Sequence, residues 1–383
     1  MHIGFDVTPL CVPHSGVGTY TANLLEHLRR NSPGEIIPLA HRRLAEGGGR
    51  SLISVNKTFW MQAVLPWVLL RLGVDVCHFT NGVASLWTPC PTVVTVHDMT
   101  LWLFPQHHYR RRLLAMRPFI PLAAHRATAI IAVSHSAKAD IGRILGVPAE
   151  KVTVIYEAPG PAFRPLALGS VLESVRQRYR LPERFLLYVG TIEPRKNLVR
   201  LLEAFACLRL TGTIPHGLVF VGQRGWKYAP VFAAVERLGL SDAVRFLGYV
   251  PTMDLVALYN LADALVFPSL YEGFGLPVVE AMACGTPVVT SPNGSLGEVA
   301  GDAALFVEPT RVESIAEGLR QVVQDRTRRE ELRARGLARA ARFTWAQAAD
   351  ETRQVYAEAV KAGSRRTGLA AAPRDGTACW PGV

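Results

Sequence analysis

The chain has 383 residues, 49% of them apolar, and a formal net charge of +11. That is too long for one ordinary core and suits two domains of typical size. Its six cysteines are scattered without a Cys-x-x-Cys pair, which argues against a zinc site or a disulfide framework and fits a reducing cytosol.

Met1–Val7 reads as a first strand; it lacks the basic region and long apolar run of a signal peptide. Gly18–Arg29, after a Gly-rich turn, predicts an amphipathic helix. The most apolar window, Phe59–Leu72, contains Gln62 and Pro66 and falls short of the roughly 20 residues that a membrane span needs. Val74–Phe79, Thr92–Val96, Ala129–Val133 and Val152–Ile155 read as strands. Ser136–Leu145 reads as a helix with Ser134 as its N-cap. Tyr156–Leu168 (YEAPGPAFRPLAL) is rich in Pro and Gly and reads as a linker.

A second alternating series follows. Phe185–Gly190, Leu218–Gly222, Val244–Leu247, Ala264–Pro268, Pro287–Thr290 and Ala303–Val307 are predicted strands. Asn197–Leu208, Tyr228–Leu238, Met253–Leu261 and Arg311–Asp325 are predicted helices, and another runs from Pro277 to a stop at Gly285. Thr344–Lys361 reads as an amphipathic helix capped by Thr344, and Ala362–Val383 as a disordered tail. Alternation of this kind predicts α/β architecture: two Rossmann-like domains, 1–165 and 166–343, each a parallel sheet with helices on both faces. Ligands of such sheets sit beyond the carboxyl ends of the strands, here in the cleft between domains.

The chemistry concentrates at strand ends. In ALVFPSLYEGFGLPVVEAMACGTPVVT (264–290), Glu272 and Glu280 flank a glycine loop and a helix start. A helix tip with bare N–H groups can hold a diphosphate, and a carboxylate one turn on can accept from a ribose. GTIEPRKN (190–197) puts Arg195 and Lys196 after a strand, a planar fork and a point charge suited to a departing diphosphate. SGVGTY (15–20) brings Gly16 and Gly18 to a helix start, where backbone can approach phosphate; as a dinucleotide fingerprint it fails at Thr21. TVHDMTLW (95–102) places His97 and Asp98 at a strand end facing the cleft, and HFTNG (78–82) does the same for Asn81. VFVGQRGWK (219–227) and FLGYV (246–250) follow two more strands. No Asp-x-Asp occurs, so no metal is expected.

This series, in this order, resembles the retaining glycosyltransferases of family 4, with their Glu-x7-Glu motif and GT-B fold. The resemblance covers most of residues 1–361. It implies that the 344–361 helix crosses back onto the first domain. It further implies that Lys196, Arg195 and the helix tip at Gly275–Pro277 stabilise the departing diphosphate, that Gly273, Phe274, Gly275 and Leu276 bind the donor, and that Glu280 holds the ribose. Glu272 and His97 then orient the donor sugar, backbone around Leu247 and Gly248 reads the base, and Gly16 abuts the donor phosphate or acceptor. Asn81 and Asp98 are acceptor-side candidates. Many members carry an Arg directly after the glycine, where this chain has Thr191; Arg195 is the substitute.

The expected activity is metal-independent transfer of a hexosyl group, mannosyl by the PRKN wording. It runs from a nucleotide-diphosphate sugar to a hydroxyl of a glycan or lipid-linked oligosaccharide in cell-surface polysaccharide synthesis. Alternatives are another donor (UDP-glucose, UDP-GlcNAc or dTDP-rhamnose), a GT-B epimerase or phosphorylase, and a non-catalytic sugar-nucleotide-binding partner. The charge excess lies in residues 1–165, with 16 Lys and Arg against 9 Asp and Glu, and in the tail. Without a nucleic-acid signature, it points to an anionic substrate or membrane surface. Residues 107–126 (HHYRRRLLAMRPFIPLAAHR) mix Arg with Leu, Met, Phe and Ile; they are either a peripheral contact with anionic lipid or an ordinary basic helix face. A cytoplasmic location, peripheral on the membrane face, is expected.

Overall fold

The computed structural model describes residues 1–11, 15–31, 34–40, 57–167 and 169–367. Two six-stranded sheets carry the fold, and every pairing in them is parallel. The first contains β1 (Ile3–Asp6), β2 (Ile36–Leu39), β3 (Val76–Phe79), β4 (Thr92–Val96), β5 (Ala129–Ala132) and β6 (Val152–Val154), in the order β2-β1-β3-β4-β5-β6. The second contains β7 (Phe185–Val189), β8 (Gly217–Val221), β9 (Val244–Gly248), β10 (Ala264–Phe267), β11 (Val288–Thr290) and β12 (Leu305–Phe306), in the order β12-β11-β10-β7-β8-β9. The inner strands TVVTV, FLLYV, GLVFV and ALVF are buried at every residue. Helices cover both faces of such a sheet, so its strands need apolar residues throughout instead of alternation.

In the second sheet the strand order reverses between β7 and β10. The loops leaving these two strands therefore diverge and open a crevice at the carboxyl edge. The loop after β7 holds Arg195 and Lys196; the loop after β10 holds Glu272. The first sheet reverses between β1 and β3, whose loops carry Gly16 and Asn81.

Each lobe has its own core, but the first is completed from far along the chain. Phe343, Trp345, Ala348, Ala349, Val355, Tyr356 and Ala359 all belong to the first lobe's core. Most lie on the helix Trp345–Thr367, which packs on β3, β4 and the helix Gly16–Asn31. The expected crossover is present, and the helix runs six residues past Lys361. Residues 368–383 of the expected tail lie outside the described residues.

A buried polar chain pins this helix to the sheet. The Tyr356 hydroxyl lies 2.6 Å from His78 Nδ1, His78 Nε2 lies 2.7 Å from Thr95 Oγ1, and Thr95 Oγ1 lies 3.0 Å from the Tyr20 hydroxyl. Burial, reinforced by the nearby His97, pushes the His78 imidazole down to about 3, so the ring is neutral. Tyr356→Phe leaves a buried ring nitrogen unpaired. It is expected to cost ~1–3 kcal/mol, read as a lower urea midpoint with an unchanged slope; an unaltered midpoint would show that this bond holds nothing.

Candidate active site

The two loops at the β7/β10 reversal are stitched together by charge. Glu272 Oε1 accepts from Lys196 Nζ at 2.6 Å and Glu272 Oε2 pairs with Arg195 Nη1 at 2.6 Å. Arg195 Nη2 reaches Glu193 Oε1 at 2.7 Å, and Ser269 Oγ donates to Glu272 Oε1 at 2.6 Å. Arg195 Nη1 also donates to the Tyr271 carbonyl at 2.6 Å. Burial alone would raise the Glu272 carboxyl; the Arg195 and Lys196 charges outweigh it and hold it near 2. Burial and the neighbouring Arg195 lower the Lys196 ammonium against the pull of Glu272. The sequence reading has these cations open to a diphosphate. In the structure they are already neutralised, because buried charges this close to carboxylates pair. Glu193, which carries no local signal in the sequence, completes the quartet, and its Oε2 is buried without a hydrogen-bond partner among the described residues.

Lys196 sits on a single turn over Pro194–Lys196 that ends at Asn197, whose φ of +62° breaks the chain away from β7 and into the helix Leu198–Leu210. The Asn197 amide donates to the Pro268 and Pro309 carbonyls and fixes this turn on the end of β10. On the other loop Gly275 (φ +105°) caps the helix Leu276–Ala283, and Pro277 occupies its first turn, where its missing N–H costs nothing. Glu280, one turn in, is buried. Its Oε2 accepts from the Tyr259 hydroxyl at 3.0 Å, and burial with the nearby Glu157 raises its carboxyl to about 8.

The first lobe meets this assembly directly. A Cβ on Gly273 would collide with the His97 carbonyl, so only glycine lets the loop lie there. Ser134 Oγ caps its own helix, His135–Leu145, by accepting from Ala137 N–H, and donates to the Gly273 carbonyl at 2.7 Å. Phe274 and Leu276 are expected among the donor-binding residues; their side chains enter the first lobe's core, where Phe274 packs between Tyr156 and Phe343 with ring centroids 6.1 and 5.7 Å away. Apolar side chains at a helix tip flanked by a second lobe bury there, which leaves only their backbone for an anion.

Glu298, also absent from the sequence reading, crosslinks the lobes. Its carboxylate accepts from the N–H groups of His135 (2.8 Å) and Ser136 (3.1 Å) and from the Tyr156 hydroxyl (2.7 Å). Further contacts join Tyr271 to Asp140 and the Trp226 indole to the His107 carbonyl, both at 2.6 Å. Arg112 stacks on Trp226 at 4.9 Å. The start of the 107–126 segment, a lipid-facing candidate by sequence, therefore packs on the second lobe.

His97 does not project freely into the cleft. Its Nδ1 lies 3.0 Å from Glu157 Oε1 and its Nε2 lies 3.0 Å from the Thr80 carbonyl. Both neighbours are acceptors, an arrangement that favours the doubly protonated ring. Burial opposes that charge, but the Glu157 bond and charge overcome it, and the Thr80 carbonyl and Asp98 add to them, raising the group above its ordinary value. Glu157 lies in the predicted linker, where one buried carboxylate among prolines gave no local signal. Asp98 turns back to accept from Thr100, an Asx-type turn, yet lies near enough to raise the Arg195 guanidinium. Asn81 is exposed on the loop after β3, Gly16 begins its helix beside open space, and Leu247 and Gly248 end β9.

Because the folded His97 value lies above the unfolded one, the Glu157 pair stabilises the fold fully below pH ~6.5, and that contribution fades as pH rises through the folded value. Glu157→Gln is expected to move the His97 titration, followed by NMR of the ring C–H signals, to lower pH and to reduce Tm most at mildly acid pH. A titration identical to wild type would separate Glu157 from the His97 proton.

Comparison with known proteins agrees with this architecture. Residues 14–158 match the model of Glycosyltransferase Family 4, and residues 173–339 that of Glycosyl transferases group 1. The chain is 38% identical over 265 residues to O-antigen chain mannosyltransferase B of Escherichia coli, covering 69% of each chain. It is 36% identical over 323 residues to a serotype-specific mannosyltransferase WbdA of the same organism; that match takes in 82% of this chain but only 39% of the relative's length. Among solved structures, sucrose-phosphate synthase from Thermosynechococcus elongatus superposes with a TM-score of 0.75 at 21% identity, over 94% of this chain and 99% of that one. WaaG, a glycosyltransferase involved in lipopolysaccharide biosynthesis, gives 0.68 at 20% identity, over 96% and 100%. The chain belongs to glycosyltransferase family 4 and is a glycosyltransferase of GT-B fold.

Proposed function

We propose that the chain moves a mannosyl group from a nucleotide-diphosphate sugar to a hydroxyl of a glycan or lipid-linked oligosaccharide in cell-surface polysaccharide synthesis, with retention at the anomeric carbon. The observation that carries this reading is the meeting of Arg195, Lys196 and the Gly275–Pro277 helix tip at the reversal of the second sheet, against the first lobe's His97–Asp98 loop. The names of the Escherichia coli relatives favour mannose over the other hexoses.

In this reading the diphosphate takes over the hydrogen bonds that Arg195 and Lys196 now give to Glu272, and the freed carboxylate turns to the donor sugar. Glu280 holds the ribose, and backbone at Leu247 and Gly248 meets the base. Gly16, Asn81 and Asp98 line the acceptor side. His97 acts through its fixed positive charge beside the reacting centre, since both of its nitrogens are committed. The leaving group is stabilised by cations and helix dipole without a metal. Among the described residues no group of three His, Cys, Asp or Glu could hold a metal ion. No helix among them is long and apolar enough to cross a membrane. The scattered cysteines favour the cytoplasm, with the enzyme drawn to the membrane face by its acceptor.

A thermal-shift panel of GDP-mannose, UDP-glucose, UDP-GlcNAc and dTDP-rhamnose is expected to give its largest rise with GDP-mannose. Lys196→Ala is expected to slow transfer by about 10² or more, with Tm measured alongside to separate chemistry from folding. Turnover near wild type would remove Lys196 from the mechanism. Transfer is also expected to persist in EDTA; its loss, with rescue by magnesium, would overturn the metal-free mechanism.

A further inference from the structure

The continuous helical stretch Lys57–Phe59, Trp60–Val64 and Leu65–Arg71 is apolar on two sides. Met61, Leu65 and Leu69 face the first lobe's core, as an amphipathic helix requires. The opposite stripe is apolar as well: Phe59, Trp67 and Leu70 are 60%, 61% and 54% exposed, and Ala63 stands exposed between them. Spacings of four, four and three residues put all of these on one outward face.

A second element is held against that stripe. Gln62 donates from Nε2 to the Ala84 carbonyl and accepts at Oε1 from the Leu86 N–H, and Arg126 donates to the Leu86 carbonyl. These bonds fix the loop so that Trp87, 56% exposed, lies beside Trp67 with ring centroids 6.3 Å apart. The fold thus spends three polar contacts to display two neighbouring indoles to the outside. Isolated exposed apolar residues need no explanation, but a contiguous aromatic patch marks a surface that something covers.

The charge carried by this stretch of chain bears on what covers it. Along the sequence from residue 57 to residue 139 there are eight Lys and Arg and only two carboxylates, Asp75 and Asp98, although Arg112 is taken up by Trp226 of the second lobe. Both carboxylates are used internally: Asp75 accepts from the His2 N–H, and Asp98 from Thr100. Arg71 closes the stripe and Arg126 grips the loop that carries Trp87. A second copy of the chain would set this basic region against itself. An anionic bilayer instead offers opposite charge together with an interfacial layer that indoles prefer.

We propose that the Phe59–Trp67–Leu70 stripe and Trp87 form a docking face for an anionic membrane surface, in place of the 107–126 segment. Its purpose rests on the lipid-linked acceptor of the proposed function, but binding is measured apart from transfer. The full-length chain is floated with vesicles of phosphatidylcholine alone and with a phosphatidylcholine–phosphatidylglycerol mixture. The expected result is binding to the mixed vesicles only, weakened by salt, with a blue shift of tryptophan emission. The Trp67→Ser/Trp87→Ser double variant is expected to lose tenfold or more of that binding, as an estimate from the apolar area removed. It should keep its Tm within a few degrees and its transfer rate to a short soluble acceptor. An Arg110→Ser/Arg111→Ser/Arg112→Ser variant is expected to lose less binding than the double tryptophan variant, since Arg112 packs on Trp226 of the second lobe and the segment supplies no indole. The proposal is overturned if wild type ignores anionic vesicles, if the double tryptophan variant binds as wild type does, or if only the triple arginine variant loses binding. A concentration-dependent dimer that the tryptophan changes dissociate would assign the face to a second copy instead.

Discussion

Two loops that are 76 residues apart in sequence are held together by one buried carboxylate. Glu272 faces Arg195 and Lys196 at once, with all three side chains at most 13% exposed. Desolvating such groups costs several kcal/mol per ion, and only close pairing offsets it. The arrangement therefore exists because β7 and β10 are neighbours: the sheet brings the loops within reach, and charge closes the gap. The pairing also keeps two cations at the crevice edge without forcing them to unfold the loop by self-repulsion. Glu193 brings the local charge to balance. In the proposed function a dianion would meet donors that are oriented beforehand and a competing carboxylate that is already present.

The first lobe's answer to this centre is a second buried pair, His97 with Glu157. Two acceptors flank one ring, and the Glu157 bond and charge outweigh burial to favour its protonated form. Nearby, the Glu280 carboxyl is raised for the opposite reason: burial and the nearby Glu157 outweigh the bond from the Tyr259 hydroxyl. Three carboxylates of one site thus occupy three electrostatic states, set by their neighbours. Glu298, facing the first turn of the helix His135–Leu145 across the lobe boundary, adds a fourth environment, where helix-end N–H groups take the place of a cation.

Much of the fold was legible because parallel strands buried on both faces leave continuous apolar runs. FLLYV, GLVFV and ALVF could be read directly, as could the Gly275 and Pro277 punctuation of the helix after β10. Ile36–Leu39 was missed because it is four residues long and contains Pro38. Arg326–Ala340 was missed because its arginine-rich surface hides a contact face of only Leu332, Gly336 and Ala340. At the site, residue types at strand ends announced the chemistry, but pairing could not be read. Glu157 and Glu298 acquire meaning only through partners 60 and more than 140 residues away, and a lone carboxylate carries no periodicity. The same blindness left Arg195 and Lys196 without visible partners and left open whether His97 faces the cleft or bonds a backbone carbonyl, as it does at Thr80. The apolar window 59–72 was correctly too short to span a membrane, yet its outward aromatic stripe emerged only once the inner face had been assigned.

The return of the Trp345–Thr367 helix to the first lobe has a consequence for how the protein is made. β1 leaves the ribosome at the outset, but the lobe it belongs to lacks Trp345, Tyr356 and Ala359 until more than 300 further residues have been translated. The second lobe, whose core is drawn from one unbroken stretch, is able to consolidate earlier. For this chain the amino-terminal unit cannot be completed before the next has been synthesised, unlike the usual vectorial order. The unfinished first lobe then presents apolar sheet surface throughout synthesis, the interval when chaperone engagement matters most.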